Sequence, residues 1–504
     1  MKRLFTALLV VLFVSNVPLS ARSFTLVSYN VENLFDLDGV ANYEDYKPER
    51  YTPNHLAVKA SNIAKVLAFI ENGAGPDIAV FNEIEIDQTP ASTVKDPREW
   101  LDSLKNTKLR DLRSPLSPEL AGVPAEMWLL KSCEDAGLKG YQIAQTDEKP
   151  GNYADGRPLS VHCVIFSRFP IKEVRTIPTP NARAILEVTL DIDGHPLRVF
   201  ANHWKSGAGD PVSEQTRLEN AATLRARLDE IFKKDPSADV ILCGDFNSHY
   251  NQNARYPEMK RTGIIDVLGS QGNELALRDG KADLYNLWFE LPAEERGSDI
   301  FRNEWGTLMH ILISKGLHDA NGIQYEDNSF KPLRIRGMNA DVQGRPIRWS
   351  RGGRPGGFSD HFPIIAKFRT ISENATNKRI ELKYPSTTAQ GPGDALMVGS
   401  VNELFENAID PAKEPTGANF KDGSYDGKVF RLDHPAKIDS KGIVVVTLND
   451  ADYEIFSPKK ELRGDIRDQV QKTGRLKAFG EIGTYRDRWQ FILHDKDWIL
   501  SVNK

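Results

Sequence analysis

Polar side chains follow an apolar run at residues 240–248, where the chain reads Val-Ile-Leu-Cys-Gly-Asp-Phe-Asn-Ser. Apolar runs bounded by turn residues are typical of buried strands. Asp245 and Asn247 stand two residues apart where this strand would end, so both side chains lie on one side of the chain. Ligands usually bind at that end of the strands in an open α/β sheet. The segment therefore predicts a functional carboxylate and carboxamide at a sheet edge.

Similar polar clusters stand at one end of four other predicted strands. They contain Asn30 with Asn33, Glu83 with Glu85, His203 with Lys205, and Asp360 with His361. Each cluster alone has a structural explanation, such as a turn-stabilising asparagine, a solvated carboxylate or a buried histidine. Five clusters at strand ends are better explained by one shared site.

The residue types in these clusters indicate the chemistry. Oxygen ligands without cysteine and without an H-E-x-x-H motif favour Mg²⁺ or Mn²⁺, with Ca²⁺ as a further candidate, over zinc. Lys205 can neutralise a phosphate, and histidines can protonate or stabilise an oxyanion. A metal, a base and imidazoles around a phosphate would hydrolyse a P–O bond with water. The absence of G-x-S-x-G and P-loop motifs argues against serine hydrolysis and motor ATPase chemistry.

The segment between Phe24 and Arg369 contains the elements that must position these side chains. Apolar residues at helical spacing predict helices over 55–71 and 214–232. Strands are predicted at 24–29, 77–81, 161–166, 184–191, 197–201, 308–314 and 362–368, with a hairpin turn at Asp193-Gly194. Many strands with few crossover helices favour an α/β sandwich over a doubly wound sheet.

In order and spacing, the polar motifs resemble the endonuclease/exonuclease/phosphatase superfamily, which includes deoxyribonuclease I-like and exonuclease III-like nucleases and neutral sphingomyelinases. The motifs are Ser28-Tyr-Asn30-Val-Glu-Asn33, Phe81-Asn-Glu83, Asn202-His-Trp-Lys-Ser206, Gly244-Asp-Phe-Asn247 and Ser359-Asp-His361. The resemblance covers residues 24–369. It implies an α+β fold, a four-layer α/β sandwich in which two packed mixed sheets are flanked by helices. It also implies Mg²⁺-dependent hydrolysis of a phosphodiester or phosphomonoester by metal-activated water.

The resemblance assigns three residues to the metal site. Glu83 matches the principal metal carboxylate of the family. Asn30 and Asp360 match residues that complete or neighbour this metal site. The cofactor implied is therefore Mg²⁺ or Mn²⁺.

The resemblance assigns the remaining residues to water and phosphate. Asp245 matches the residue that orients or deprotonates the attacking water, and Asn247 matches a ligand of the scissile phosphate. His361 matches an imidazole that stabilises or protonates the phosphate or leaving-group oxygens. His203 matches a second histidine on the phosphate side, and Lys205 is the cationic phosphate contact.

One position departs from the family pattern. The family usually has an Asp just before the part of the strand that here reads His310-Ile-Leu-Ile-Ser314, where it orients the counterpart of His361. Met309 occupies that position, and a thioether accepts hydrogen bonds poorly and cannot stabilise an imidazolium. Three neighbouring side chains are candidates to replace it: Asp299, Glu304 and His310. Otherwise we expect reduced rather than absent activity, which a Met309→Asp substitution should raise.

A second unit follows a stretch rich in Pro, Gly, Ser and Thr at 384–393, the composition of a linker. Five short strand-like segments between about 427 and 493 predict a small barrel or sandwich. This unit resembles an OB-fold, which binds single strands through basic grooves and stacking aromatics. Residues that fit such a groove are Arg475, Lys477, Tyr485, Arg486 and Trp489. Solvated strand faces around a core tryptophan explain them equally well.

The N-terminus predicts export. Lys2 and Arg3 precede an apolar run at 4–14, and small residues follow, which is typical of a signal peptide. The predicted divisions are a signal peptide at 1–22, a catalytic domain at 23–370, a linker at 371–394 and an OB-fold-like domain at 395–504. No later run is long enough to span a bilayer.

Cysteine content and charge add two limits. The 504 residues include 3 cysteines, too few for a disulfide framework, although Cys133 and Cys163 could pair. A formal net charge of −5 shows no global basic field for a polyanion, which counts mildly against tight non-specific nucleic-acid binding.

The leading hypothesis is an exported, periplasmic or secreted, metal-dependent nuclease that hydrolyses DNA or RNA and acts as a monomer. A phosphodiesterase or phosphatase acting on phospholipid, as sphingomyelinases do, or on small molecules is an alternative. A nucleic-acid-binding homologue whose catalysis has decayed, motivated by Met309, is a third.

Overall fold

The computed structural model describes most of the chain. The described residues are 21–89, 94–112, 116–301, 304–341, 344–349, 355–371, 381–393, 409–413, 429–449, 451–457, 460–485, 488–493 and 498–500. They form an N-terminal unit of two sheets and helices and a C-terminal β-barrel. Residues 1–20 of the predicted signal peptide lie outside the described residues.

Two mixed β-sheets form the centre of the N-terminal unit. In spatial order, the first contains β15 (Ile323–Tyr325), β17 (Ile364–Thr370), β1 (Ser23–Leu34), β2 (Ile78–Glu85), β6 (Val161–Ser167) and β3 (Gln142–Gln145), with β16 (Lys331–Pro332) beside β17. The second contains β11 (Leu284–Asn286), β14 (Met309–Ser314), β10 (Val240–Asp245), β9 (His195–His203), β8 (Ile185–Ile192) and β7 (Ile171–Ile177). Two short hairpins pair β4 (Gly151–Asn152) with β5 (Pro158–Leu159) and β12 (Asp299–Phe301) with β13 (Glu304–Gly306).

Helices cover the outer faces of both sheets. The helices of this unit are α1 (Pro53–Ala68), α2 (Pro97–Ser103), α3 (Pro118–Ala121), α4 (Ala125–Asp135), α5 (Pro211–Lys234), α6 (Gln252–Arg255) and α7 (Glu274–Arg278). The first sheet packs on α1 and α4 through residues such as Ile63 and Trp128, and α5 covers the second sheet through Leu224 and Leu228. A third apolar cluster fills the space between the sheets. The predicted four-layer α/β sandwich is confirmed.

A parallel strand pair at the centre of each sheet directs the polar clusters to one edge. β1 and β2 run parallel with Asn30 opposite Asn82, and β9 and β10 run parallel with His203 opposite Asp245. Parallel strands end at the same edge of a sheet, so residues at their carboxyl ends become neighbours. The packing of the two sheets then brings these edges together.

The end of β10 requires a glycine at position 244. Gly244 has a φ of 122°, and a Cβ atom there would lie 2.1 Å from the carbonyl oxygen of Asn202 on β9. Any side chain would therefore force the two central strands apart. This close approach places Asp245 directly beside His203.

The C-terminal unit is a closed five-stranded barrel. Its strands are β18 (Val429–Ile438), β19 (Val444–Leu448), β20 (Ala451–Phe456), β21 (Arg475–Tyr485) and β22 (Arg488–Ile492), in the order β18-β19-β20-β22-β21. The five predicted strands are confirmed, and this order fits an OB-like domain. The sequence prediction missed α8 (Lys460–Thr473) between β20 and β21, although its buried Leu462, Ile466 and Val470 recur every four residues.

The predicted nucleic-acid groove of the barrel is described only in part. The Arg475 guanidinium donates to the Asp433 carbonyl and carboxylate at 2.7 and 3.0 Å. The side chains of Tyr485, Arg486 and Trp489 lie outside the described part of the chain. The groove therefore stays a prediction, and Arg475 is engaged by an acidic neighbour within it.

The segment predicted as a linker contacts the N-terminal unit. Gly272 N donates to Ala389 O at 3.1 Å, and Glu274 N donates to Ser386 O at 2.9 Å. Leu382 packs against the apolar core between the sheets. The described part of this segment, 381–393, therefore follows the surface of the N-terminal unit, and the domain boundary at 371–394 stays a prediction.

The three cysteines are free thiols. Cys133, Cys163 and Cys243 are all buried, and no disulfide joins Cys133 to Cys163. Burial raises the pKa of both Cys133 and Cys163 to about 12, so these thiols are unreactive at neutral pH. Within the described residues, no helix combines the length and apolar character needed to cross a bilayer.

Candidate active site

The predicted metal residues meet where the two sheets face each other. Asn30 at the end of β1 donates its amide to Glu83 Oε1 at 2.9 Å and to Asp245 Oδ2 at 3.0 Å. Its amide oxygen accepts a bond from Glu32 N at 3.0 Å. The side chain of Asn30 thus joins a carboxylate of the first sheet to a carboxylate of the second, and it is fully buried.

Two histidines lie around the same Asp245 oxygen. His203 Nε2 is 3.9 Å from Asp245 Oδ2 and 3.8 Å from Glu83 Oε1. His361 Nε2 is 3.8 Å from Asp245 Oδ2 and 3.7 Å from Asp360 Oδ1. The structure therefore brings together the carboxylates and imidazoles that the strand-end motifs predicted.

The two histidines have opposite protonation preferences. Burial, followed by the charges of Arg183 and His361, holds the pKa of His203 well below its usual range. Burial would also lower the pKa of His361, but nearby carboxylates, led by Asp360 and Asp245, outweigh it and raise that pKa to about 9. These shifts favour a neutral His203 and a protonated His361 at neutral pH.

The carboxylates of the site fit a divalent cation. Burial, then the charge of Asp360, raises the pKa of Glu83, and burial raises the pKa of Asp245. Ligand atoms of Glu83, Asp245 and His203 lie within 4.8 Å of one another. Crowded, desolvated carboxylates are stabilised by a cation, and these oxygens suit Mg²⁺ or Mn²⁺. Glu83 and Asp245 would hold the ion, with Asn30 ordering both side chains.

Asp360 lies at the rim of this group. Its Oδ2 accepts a bond from Arg348 Nη2 at 3.1 Å, and Arg348 also lies 3.5 Å from Glu32. It is not among the three residues whose ligand atoms cluster. The structure therefore places Asp360 beside the metal carboxylate rather than in the cluster, and the sequence analysis missed its partner Arg348.

Asn247 and Asn82 support Asp245 from both sides. Asn247 adopts a left-handed φ of 48°, its backbone N–H donates to Asp245 Oδ1 at 2.8 Å, and its amide donates to Trp204 O at 3.2 Å. Asn82 accepts a bond from Asp245 N at 3.2 Å and donates to Asn202 O at 2.9 Å. Asn247 lies beside Asp245, and its assignment as a phosphate ligand stays a prediction. The supporting role of Asn82 was missed because it depends on contact between the two sheets.

A cationic flank borders the His203 side of the site and consists of Arg157, Arg183 and Lys205. Burial, followed by the charges of Arg157 and Arg183, lowers the pKa of Lys205. Arg183 Nη1 donates to Trp204 O at 3.5 Å, beside His203 and Lys205, and Arg157 pairs with Asp155 at 2.7 Å. The fully buried Arg217 holds the loop that carries Lys205 by donating to Lys205 O at 3.0 Å and Gly207 O at 2.9 Å. Arg157 and Arg183 were missed because no strand-end motif marks them.

Asp299 places a carboxylate charge near His361, where the Met309 position lacks one. No hydrogen bond joins the two side chains, because His361 Nδ1 is buried without a hydrogen-bond partner among the described residues. Met309 is fully buried, stands opposite Asp245 in the β10–β14 pair and packs in the core between the sheets. Asp299 forms a β-bridge with His361. Its Oδ1 accepts bonds from Ser298 Oγ at 2.9 Å and Leu308 N at 3.1 Å. The Asp299 charge also contributes to the raised pKa of His361.

The other two candidates to replace that carboxylate are engaged elsewhere. Glu304 Oε2 accepts a bond from Arg255 at 2.9 Å. His310 bonds Asn286 at 3.0 Å and the Ser248 carbonyl at 2.8 Å. Asp299 is therefore the neighbour of the three that acts on His361.

A family model matches a segment that contributes strands to both sheets. Residues 161–370, which include His203, Asp245 and His361, match the model described as Endonuclease/Exonuclease/phosphatase family. This match agrees with the predicted superfamily. It supports a metal-dependent activity of the phosphodiesterase or nuclease type. No curated protein matches the chain.

Solved structures also resemble the chain. An endonuclease/exonuclease/phosphatase family protein from Bacteroides thetaiotaomicron is 15% identical, with 72% of this chain and 99% of that chain covered and a TM-score of 0.39. D. rerio TDP2 complexed with a single-strand DNA product is 14% identical, with coverage of 69% and 98% and a TM-score of 0.36. The human Nocturnin catalytic domain with bound sulfate is 15% identical, with coverage of 71% and 100% and a TM-score of 0.36. At these values the likeness assigns no substrate.

Proposed function

We propose that the chain is an exported nuclease that hydrolyses phosphodiester bonds of DNA or RNA with Mg²⁺ or Mn²⁺. The observation that carries this proposal is the arrangement of Glu83, Asp245, His203 and His361 around one point between the two sheets. The basic and apolar residues at the N-terminus support export. We expect the enzyme to act as a monomer.

Each residue of the site has a distinct role in the proposed hydrolysis. When bound, a divalent cation would supply Lewis-acid stabilisation of charge on the phosphate oxygens. The Asp245 carboxylate is placed to accept a proton from the attacking water, since Asn247 and Asn30 orient its two oxygens. His361 holds a proton that it can donate to the departing oxygen. Neutral His203 and cationic Lys205 would contact the phosphate.

The cationic flank favours a nucleic acid over a phospholipid headgroup. A chain of phosphates presents charges on both sides of the scissile bond, and lysine and arginine side chains bind such charges without reading sequence. The charges of Arg157 and Arg183 act on Lys205, two residues after His203. A single zwitterionic headgroup would leave most of this flank unused.

Plasmid nicking tests the proposed activity. We expect the purified chain to nick supercoiled DNA or degrade RNA with Mg²⁺ and to lose this activity in EDTA. A Glu83→Ala variant and a His361→Ala variant, prepared in parallel, exclude a contaminating nuclease. Hydrolysis of a sphingomyelin headgroup without cleavage of any nucleic acid would contradict the proposal and favour the lipid phosphodiesterase. Binding of nucleic acid without hydrolysis of either substrate would favour a decayed homologue.

We also propose that the barrel adds affinity for single-stranded nucleic acid. OB-like barrels stack bases on aromatic side chains, and each stack contributes roughly 1–3 kcal/mol. Trp489→Ala in the full chain should therefore weaken binding of a single-stranded oligonucleotide by roughly tenfold or more, measured by fluorescence anisotropy. The matched control is Tyr384→Ala, an exposed aromatic outside the barrel. Equal affinities for the two variants would show that the barrel has another role.

A further inference from the structure

Four carboxylates lie together beside the candidate active site but take no part in it. Asp36 and Asp38 follow β1, Glu85 ends β2, and Asp87 follows β2. Ligand oxygens of Asp36, Asp38 and Asp87 lie within 4.8 Å of one another. These four residues are named the β1–β2 acidic cluster.

Hydrogen bonds order the loops of this cluster but leave one buried oxygen without a partner. Asp36 N donates to Glu85 Oε2 at 2.8 Å, and Asp38 N donates to Asp36 Oδ1 at 3.0 Å. Thr89 Oγ1 donates to Asp38 Oδ2 at 2.7 Å and so ties the two loops together. Glu85 is only 2% exposed, and its Oε1 atom has no hydrogen-bond partner. A buried carboxylate oxygen in this state is costly unless a cation or a proton neutralises it.

The surroundings of the cluster are acidic and open to a small ion. Asp36, Asp38 and Glu85 line one pocket together with Gly39, Tyr46 and Tyr51. Burial, followed by the charge of Asp38, holds the pKa of Asp36 well above its usual range, and the charge of Asp87 adds to this rise. Among the described residues that line this pocket, the charged side chains are all carboxylates, which repel one another. The charge of Lys149 acts on Asp87, which is not among these lining residues.

We propose that the β1–β2 acidic cluster is a second metal site that binds Ca²⁺. All of its donors are oxygens, which excludes a preference for zinc or copper. Ca²⁺ accepts roughly six to eight oxygen ligands in irregular geometry, with carboxylates binding through one or both oxygens. The grouped oxygens of Asp36, Asp38 and Asp87, with the Glu85 carboxylate beside them, suit this irregular geometry better than the regular octahedron that Mg²⁺ demands.

The position of the site indicates what the ion does. It joins the segments that follow β1 and β2, the strands that carry Asn30 and Glu83 to the active site. An ion bound only by the folded chain stabilises that chain in proportion to the logarithm of its concentration. Ca²⁺ would therefore act as a structural ion that holds two metal-site strands in register, separate from the ion of the hydrolytic reaction.

Calorimetric titration of the full chain with CaCl₂ tests the second site. The background is Glu83→Gln, which removes the main carboxylate of the active site. We expect one Ca²⁺ ion per chain in this background and at least about tenfold weaker binding when Asp38→Asn or Asp87→Asn is added. Both replaced side chains are half-buried loop residues, so both variants should fold. The matched control, Asp319→Asn, replaces a half-buried aspartate elsewhere and should bind Ca²⁺ unchanged.

Thermal unfolding gives an independent readout that does not depend on catalysis. Millimolar Ca²⁺ should raise the Tm of Glu83→Gln and of the Asp319→Asn control, and it should raise the Tm of the Asp38→Asn and Asp87→Asn variants much less. Equal Ca²⁺ affinity and equal Tm shifts in all variants would overturn the proposed site. Tighter binding of Mg²⁺ than of Ca²⁺ at the cluster would overturn the assignment of the ion.

Discussion

Glu83→Gln is expected to lower phosphodiester hydrolysis by about three orders of magnitude. The substitution keeps the shape of the side chain but removes the carboxylate that would hold the cation between the sheets. Lewis-acid stabilisation contributes several kcal/mol to the transition state, and roughly each 1.4 kcal/mol changes the rate tenfold. Initial rates of plasmid nicking at saturating Mg²⁺ provide the measurement.

The same variant should not lose stability. Burial, then Asp360, raises the pKa of Glu83, so its ionised form is disfavoured in the folded chain. An acid whose folded pKa is raised costs stability above that pKa, and a neutral glutamine removes this cost. In EDTA, the Tm of Glu83→Gln should therefore equal or exceed that of the unsubstituted chain. Glu290→Gln replaces another carboxylate of raised pKa outside the site and should retain activity. Full activity of Glu83→Gln would contradict the proposed metal site.

Asp299→Asn is expected to lower kcat by about 100-fold or more with little change in KM. Asp299 forms a β-bridge with His361, and its charge favours the protonated imidazole. In the Ser-His-Asp template, loss of the carboxylate that orients a histidine costs about 10⁴-fold in kcat. Kinetics on a short fluorogenic oligonucleotide would separate kcat from KM. Glu304→Gln, whose carboxylate pairs with Arg255 instead, is the matched control.

A double variant distinguishes orientation of His361 from general damage. The sequence alone predicted that Met309→Asp would raise turnover, but with Asp299 in place it would bury a further carboxylate opposite Asp245. We now expect Met309→Asp alone to lower stability and to give no gain. Combined with Asp299→Asn, it should restore part of the lost kcat, because the carboxylate returns to the family position. An Asp299→Asn variant with unchanged kcat would show that His361 needs no carboxylate partner.

Much of the sandwich could be predicted because its signals are local. The strands around 77–81, 161–166 and 308–314 are short apolar runs, and α5 has a clear helical period, so segments of a few residues contain the evidence. The strands β3, β7, β11, β15 and β16 and the short strands of the two hairpins were missed. β7 is largely exposed and polar, and β11 has only 3 residues, so neither shows the expected pattern.

By itself, the sequence determined which side chains stand at strand ends and which chemistry they suit. Oxygen donors and imidazoles next to apolar runs indicate a site for a hard metal ion and a phosphate. The reason is that buried strands are apolar along their length, so functional polar residues stand where the strands reach the edge of the sheet. Tertiary structure alone decided the partners. Asn30 meets Asp245 across 215 residues of chain. The bridge between Asp299 and His361, the cationic flank and the β1–β2 acidic cluster likewise join segments separated in sequence. Such contacts arise from the packing of two sheets and their loops, which leaves no periodic pattern in the chain.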